Sequence, residues 1–297
     1  MISESLTEYA GLPVVTADDD PPTGPVAWKV GTGHDDIFPE EWEKFLRTVD
    51  PAGVTALVIG HWGPGTFSYP LPMLLESAEA FPNLRSLFFG DITYDLAEMS
   101  WIQHEDMSAL LPAFPALERL DVRGSDGLAL DPVGHGSLKV LRFESSELPA
   151  AIVRAVMAGD LPNLEHLDVW FGATHVSADD LAPVLSGERF PALRRLGLEN
   201  SEEQDDFAEA LAAAPVVARL ESLSLARGAL TDRGAEALLA GQPLTHLREL
   251  DLHHHFLSED MTRRVEAALR GVQVDLSDRQ EAENYDGENW YYVEVSE

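Results

Sequence analysis

The sequence predicts an α/β solenoid: a horseshoe with a parallel inner sheet, outer helices and about eight to nine repeats. Three observations carry that prediction. The pattern Leu-x-x-Leu-x-Leu recurs, clearest from Leu117, Leu164, Leu193, Leu220 and Leu247 and fainter from Val54, Leu84, Leu138 and Leu269. These starts lie 21 to 33 residues apart, a period at which one strand and one return segment stack on the next pair. Between the starts, apolar residues fall at helical spacing, bounded by caps and prolines. Because such a core grows lengthwise, 297 residues fit one continuous body rather than two globular domains.

Taken in order, residues 1–53 lack the repeat and read as an N-terminal cap over the open end of the core. Val14-Val15 and the run from Val26 to Val30 read as short strands around the turn Asp18-Asp19-Asp20-Pro21-Pro22-Thr23-Gly24. A helix follows over 39–49, with Trp42, Phe45, Leu46 and Val49 on one face and Glu40 and Glu41 in its first turn. The solenoid spans 54–276, with helices expected over 71–81, 105–114, 149–158, 178–185, 203–213, 232–240 and 259–270. Ser177 and Ser258 are positioned as N-caps for two of them. The unit from Leu117 to Leu138 is the exception: Gly124, Gly127, Pro132, Gly134 and Gly136 leave no room for a helix. Residues 277–297 read as a C-terminal cap strand. A turn at 284–289 leads into the alternating run Trp290 to Val295, expected over the last sheet edge.

Composition narrows the function. The net charge is −32, from 52 acids against 20 bases, which repels nucleic acid and anionic lipid and favours cationic partners and a monomer. The absence of cysteine removes disulfides and thiolate metal sites. With no apolar run of membrane length and an acidic start, Ile2-Ser3-Glu4-Ser5, the expectation is a cytoplasmic protein away from the membrane.

Strand alternation gives a map of the concave face. Three outward columns run from Ala56 to Gly271, from Val58 to Gln273 and from Gly60 to Asp275. Their middle holds a dense patch: Arg119, Asp121, Arg123, Arg142, Glu144, His166, Asp168, Trp170, Arg195 and Glu199. The row Asp121–Arg142–Asp168 alternates in sign, so cross-strand neutralisation accounts for its charges one pair at a time. An exposed Trp170 beside arginines has instead the composition of an interface hot spot, and the patch is the expected partner-binding site. Trp62, Phe67, Tyr69, Tyr94, Trp101 and Phe171 crowd the loops, with Trp62 and Trp101 expected to pack them together.

Chemistry finds less support. In His253-His254-His255, alternation puts His253 on the concave face and His255 inward, too few ligands for a metal unless Asp251 or Glu249 joins. His166, Asp168 and Asp121 form a fragment of an acid–base site without a nucleophile beside it, since Ser222 and Ser224 are two repeats away. Asp19, Asp35 and Asp36 near Gly31-Thr32-Gly33 lack the Gly-Lys-Ser/Thr that a phosphate loop needs. No catalytic residue, cofactor or metal is therefore expected.

The run Leu230-Thr231-Asp232-Arg233-Gly234-Ala235-Glu236-Ala237-Leu238-Leu239, followed by Leu247 to Leu252, resembles the ribonuclease-inhibitor class of leucine-rich repeat, and the core pattern extends the resemblance over 54–276. The chain is also similar to a family of bacterial, actinomycete-type cytoplasmic leucine-rich repeat proteins at Val54 to Gly60, at Gly90-Asp91-Ile92 with Ser100-Trp101-Ile102, and at Val293 to Glu297. The class's Asn ladder is missing. That column reads Trp62, Ile92, Ser125, Ser146, Gly172, Ser201, Gly228, His255 and Ser277, and glycine offers no side chain to bond the neighbouring turn. The repeat, the charged aromatic patch and the missing catalytic set point to a non-catalytic protein-interaction scaffold that holds a protein or peptide on its concave face. Two alternatives stay open: an accessory enzyme or small-ligand or metal-binding protein, and a regulatory component of a metabolic or modification gene cluster.

Overall fold

A strand of this chain alternates leucine with charge, and that alternation builds the sheet. The computed structural model describes residues 2–20, 23–33, 37–63, 65–132 and 134–296. Asp35 and Asp36 of the glycine-rich segment, Pro21 and Pro22 of the first turn, and Glu297 lie outside the described residues. The chain opens with β1 (Glu8–Tyr9), β2 (Leu12–Thr16), β3 (Ala27–Val30), α1 (Phe38–Thr48) and β4 (Ala56–Gly60). Then come α2 (Leu71–Glu76), β5 (Ser86–Asp91), α3 (Leu110–Ala113), β6 (Arg119–Arg123), β7 (Val140–Glu144), α4 (Ala150–Ala158) and β8 (His166–Gly172). The rest is α5 (Ala182–Leu185), β9 (Arg195–Ser201), α6 (Gln204–Leu211), β10 (Ser222–Ser224), α7 (Asp232–Ala240), β11 (Glu249–Asp251), α8 (Glu259–Ala268) and β12 (Gln273–Asp275).

These strands form one sheet of 12 in chain order, antiparallel only where β1 meets β2 and parallel at every later step. With eight α-helices among the described residues, the molecule is a mixed α/β body consistent with a repeat solenoid. Each of the nine expected strands is present, beginning two to four residues after its first apolar position. Leu117, Leu120 and Val122 of one repeat enter the same buried cluster as Leu164, Leu167 and Val169 of another. Helices supply its other side: Trp42 and Phe45 from α1, Ile152 and Val156 from α4, Phe207 from α6, Leu238 from α7 and Val265 from α8. Each fully buried leucine contributes roughly 1.5–3 kcal/mol. The opposite sheet face carries the charge.

Caps set the helix ends. Thr231 accepts from the Arg233 amide at 3.2 Å to start α7, and Ser258 accepts from the Met261 amide at 3.1 Å to start α8. Ser177 also accepts from the amide three residues on, that of Asp180 at 3.3 Å, while its own amide and hydroxyl bond the Asp180 carboxylate at 3.1 and 2.8 Å. The residues that follow form turns, however, and α5 starts late. α3 is likewise short, because Met107 bonds the Ala129 carbonyl at 2.9 Å and draws the preceding residues into a bridge with the glycine-rich segment. As expected, no helix separates β6 from β7 among the described residues.

The tail departs from expectation. Trp290 to Val295 does not lie over the last sheet edge, which is β12. Instead β13 (Glu283–Tyr285) and β14 (Glu288–Trp290) form a separate hairpin through Asp286 and Gly287, both at positive φ. Residues beyond it run back over the strand ends: the Glu294 amide bonds the Arg227 carbonyl at 2.8 Å, and the Val295 amide bonds the Asn200 side chain at 3.0 Å. A loop carbonyl and a loop side chain, not the edge strand, thus hold the tail backbone here.

Candidate functional site

Register fixes the charged columns. Arg119, Val140, His166, Arg195, Ser222 and Glu249 stand side by side, as do Asp121, Arg142, Asp168, Gly197, Ser224 and Asp251. Two steps differ from the sequence map. Gly90, at φ +99°, makes a bulge, so Gly60 pairs with Asp91 and the carboxylate takes the place read for glycine. At the other end Gln273 rather than Gly271 pairs with Glu249, a slip of one full pleat that keeps the faces and moves Asp275 beside Asp251.

The predicted patch divides in two. In its N-terminal part Asp121 is fully buried and accepts from Tyr9 Oη at 2.9 Å, Arg119 Nε at 2.7 Å and Arg142 Nη1 at 3.2 Å. Arg123 donates to Glu144 at 2.8 Å and Asp91 at 3.2 Å, and Asp91 takes Lys29 Nζ at 2.6 Å. The first residues of the chain cover this part: Leu6 bonds Asp91 through its amide, and Tyr9 packs edge-on to Phe88 at 5.7 Å. Burial pushes the Tyr9 hydroxyl well above its ordinary pKa, with the Asp121 charge adding to it. Arg142 also holds Asp168 Oδ2 at 2.8 Å, so the alternating row is an internal salt-bridge ladder. Arg119, Arg142 and His166 are half-buried and Arg195 is exposed, while Asp121, Arg123, Glu144, Asp168 and Glu199 are buried.

Trp170 corrects the expectation of an exposed hot spot. It is 5% exposed, packed with Met99 and Val295 and capped by the Arg227 guanidinium 4.6 Å above its ring. The returning tail is the cause, and Trp170 is a packing residue.

Beyond Arg142 the face opens. A groove of about 260 Å³ is lined by His166, Asp168, Arg195, Glu199, Ser222, Ser224, Glu249, Asp251, Gln273 and Asp275. Five of these are carboxylates. Asp168 has one oxygen on Arg142, but its Oδ1 is buried with no hydrogen-bond partner among the described residues. Glu199 Oε2 lies 3.5 Å from Arg227. Burial first, and then the Asp168 charge, push the Glu199 carboxyl up to about 8. Burial pulls His166 down to about 4 despite neighbouring Asp168. In the groove, then, burial favours the neutral form of both the His166 ring and the Glu199 carboxyl.

His253 borders this groove. Its Nδ1 lies 2.8 Å from Asp251 and its Nε2 3.4 Å from Glu294, and these partners raise it to about 9. Asp251, His253 and Asp275 bring ligand atoms within 4.8 Å of one another, a donor set able to hold a cation once the imidazolium gives up its proton. His255 is buried, bonding the Leu257 amide and the Leu276 carbonyl, as an inward residue should. His254 breaks the alternation argument: β11 ends at Asp251, and His254 sits at φ +54° with its ring on the Tyr292 carbonyl.

The loops solve the missing Asn ladder piecemeal. Ser125 donates to the Glu147 carbonyl at 2.8 Å, and Trp62 Nε1 donates to the Gly65 carbonyl at 3.1 Å. At Gly228 the space is filled by Gln204 from α6, which donates to the Leu198 carbonyl at 2.6 Å. Trp62, Tyr69 and Phe171 pack as core, whereas Trp101 is 70% exposed, against the expectation that it closes the loops, and Phe67 is exposed too. Sequence reading missed Tyr9, Lys29, Asp91, Arg227 and Glu294. Only Asp91 carried a local signal, since a Gly-Asp pair at a strand end marks a bulge; the others act across long separations, as Lys29 does with Asp91, 62 residues away.

No protein-family model matches the chain, and no curated protein does. Among solved structures, the chain is similar to a Bacteroides fragilis protein whose crystal structure was determined as a structural-genomics target. The two share 29% identity, with a TM-score of 0.82 over 93% of this chain and 79% of that one. No helix among the described residues is long and apolar enough to cross a membrane.

Proposed function

We propose that the chain is a leucine-rich repeat solenoid of the ribonuclease-inhibitor-like class, curved into a horseshoe, and that it works as a non-catalytic scaffold in the cytoplasm. Its partner is a protein or peptide bearing basic side chains, held on the C-terminal half of the concave face. The observation that carries this reading is the groove with five carboxylates, where the neighbouring N-terminal half is already neutralised by Lys29, Arg119, Arg123 and Arg142. Of the predicted patch, His166, Asp168, Arg195 and Glu199 belong to the groove; Arg119, Asp121, Arg123, Arg142 and Glu144 form the ladder beside it, and Trp170 packs beneath the tail. Asp168, Glu199 and Asp251 each face a cation of the chain, whereas Glu249 and Asp275 make no ion pair among the described residues. Such acids attract cations from a distance and choose among them at contact.

The test is capture from the native host's lysate by the wild type and by a Glu249→Gln/Asp251→Asn/Asp275→Asn variant shown to fold by circular dichroism. The expected result is a basic partner held by the first and lost by the second. Retention of that partner by the variant would move the site off the groove. Substitutions at Arg142 or Trp170 would test folding instead, since both residues are structural.

A second reading, a metal-binding accessory protein, has one observation in its favour: the Asp251, His253 and Asp275 donor set. Untagged protein carrying stoichiometric metal, lost in His253→Ala, would support it.

A further inference from the structure

We infer that Asp168 and Glu199 form a receptor for a single alkylammonium group, the side chain of a partner's lysine, seated above Gly197. The inference rests on the groove reading above and specifies its most selective point. Asp168 is 6% exposed and Glu199 8% exposed, so neither carboxylate is a solvated surface acid. Each turns one oxygen to a cation of the protein itself, Asp168 Oδ2 to Arg142 and Glu199 Oε2 to Arg227. The remaining oxygens converge over the glycine between them. A methyl placed on Gly197 would stand 2.5 Å from Asp168 Oδ1 and 3.2 Å from Glu199 Oε1.

The convergence matters because Asp168 Oδ1 is buried without a partner among the described residues. A buried acceptor left unpaired is costly, and the cost is relieved by a donor arriving from outside. Gly197 makes the convergence possible: it carries no side chain, and the Asp168 and Glu199 carboxylates lean into the space one would take. The place where they meet is small and local. It suits a compact ammonium with three divergent donors better than a planar guanidinium, which needs a flat two-toothed edge. Around Glu199 stand Asp168 from β8, Ser224 and Arg227 from β10 and its following loop, and Asp251 from β11. Burial and the Asp168 charge favour the protonated Glu199 carboxyl; an arriving ammonium would favour the ionised form instead, and binding would release protons.

The test is calorimetric titration of the full untagged chain with an acetylated, amidated Gly-Lys-Gly peptide. Parallel arms use the same peptide with arginine, the same peptide with acetyl-lysine, and a free linear diamine. The expected result is saturable binding of the lysine peptide, absent with acetyl-lysine and weakened at least ~10-fold in Gly197→Ala and in the shape-conserving Glu199→Gln. Repeating it in buffers of different ionisation enthalpy should reveal proton release near pH 7. A diamine that binds more tightly than the peptide would still support the ammonium receptor and would assign its source to a free amine. Equal affinities in the wild type and both variants, or arginine preferred over lysine, would overturn it. A longer lysine-rich peptide separates this inference from the groove itself. If that peptide binds through Glu249, Asp251 and Asp275 and ignores both variants, the receptor fails and the groove stands. If it does not bind the wild type, both fail.

Discussion

At the scale of single residues, the decisive fact is where a charge finds its partner. Arg123 sits buried between Asp91 and Glu144, at 3.2 and 2.8 Å. Removing it leaves Asp91 with Lys29 alone and Glu144 with Arg142 alone, so the loss is bounded by the cost of breaking a buried pair outright, at most about 3–5 kcal/mol. Arg123→Ala should therefore lower the urea midpoint by up to that equivalent without changing the slope of the transition. A change near zero would mean that water reaches the site and replaces the guanidinium. Sequence reading put Arg123 on the right face by strand period alone. It did not reveal the burial, because Tyr9 and Leu6, which cover that region, come from a segment with no repeat.

At the scale of elements, the strands were legible and the loops were not. Leu-x-x-Leu-x-Leu marks a strand from within six residues, and all nine appear, eight where the pattern puts them and the ninth two residues late. The returning tail is held by long-range polar contacts, which leave no local trace. Its latch is the ion triad of Glu294 with Arg227 and His253. His253 and Arg227 pull Glu294 down to about 2, against 4.5 for the ordinary group. That depressed carboxyl contributes stability above about pH 4.5 and loses it as pH falls towards 2. His253, raised to about 9 from 6.5, works in the other direction: its contribution is complete below 6.5 and is lost as pH rises through 9. The latch should thus be tightest between these limits. Limited proteolysis of the tail should accelerate above pH 9 and below pH 4, and Glu294→Gln should flatten both limbs. Proteolysis independent of pH would show that the backbone bonds of Asn200 to Val295 hold the tail unaided.

At the scale of the whole molecule, a net charge of −32 sets how any partner approaches. At physiological ionic strength the screening length is about 8 Å, so distant acids guide the encounter weakly while those lining the groove act at contact. Binding of a lysine-rich peptide should therefore lose association rate steeply between low and physiological salt. Its dissociation rate should change far less. The reverse pattern, read by stopped-flow or surface measurements across a salt series, would show that apolar contact rather than charge governs the complex.

The chain's two ends share one contact: Ile2 packs on the cluster of Met99, Trp170 and Val295. A stack of repeats normally behaves as a row of dominoes, each coupled only to the next, so that its extremities fray independently. Joining residue 2 to residue 295 turns the row into a hoop. Loosening either terminus then weakens the other, and the molecule should melt as one cooperative unit where an open row of the same length would come apart in stages.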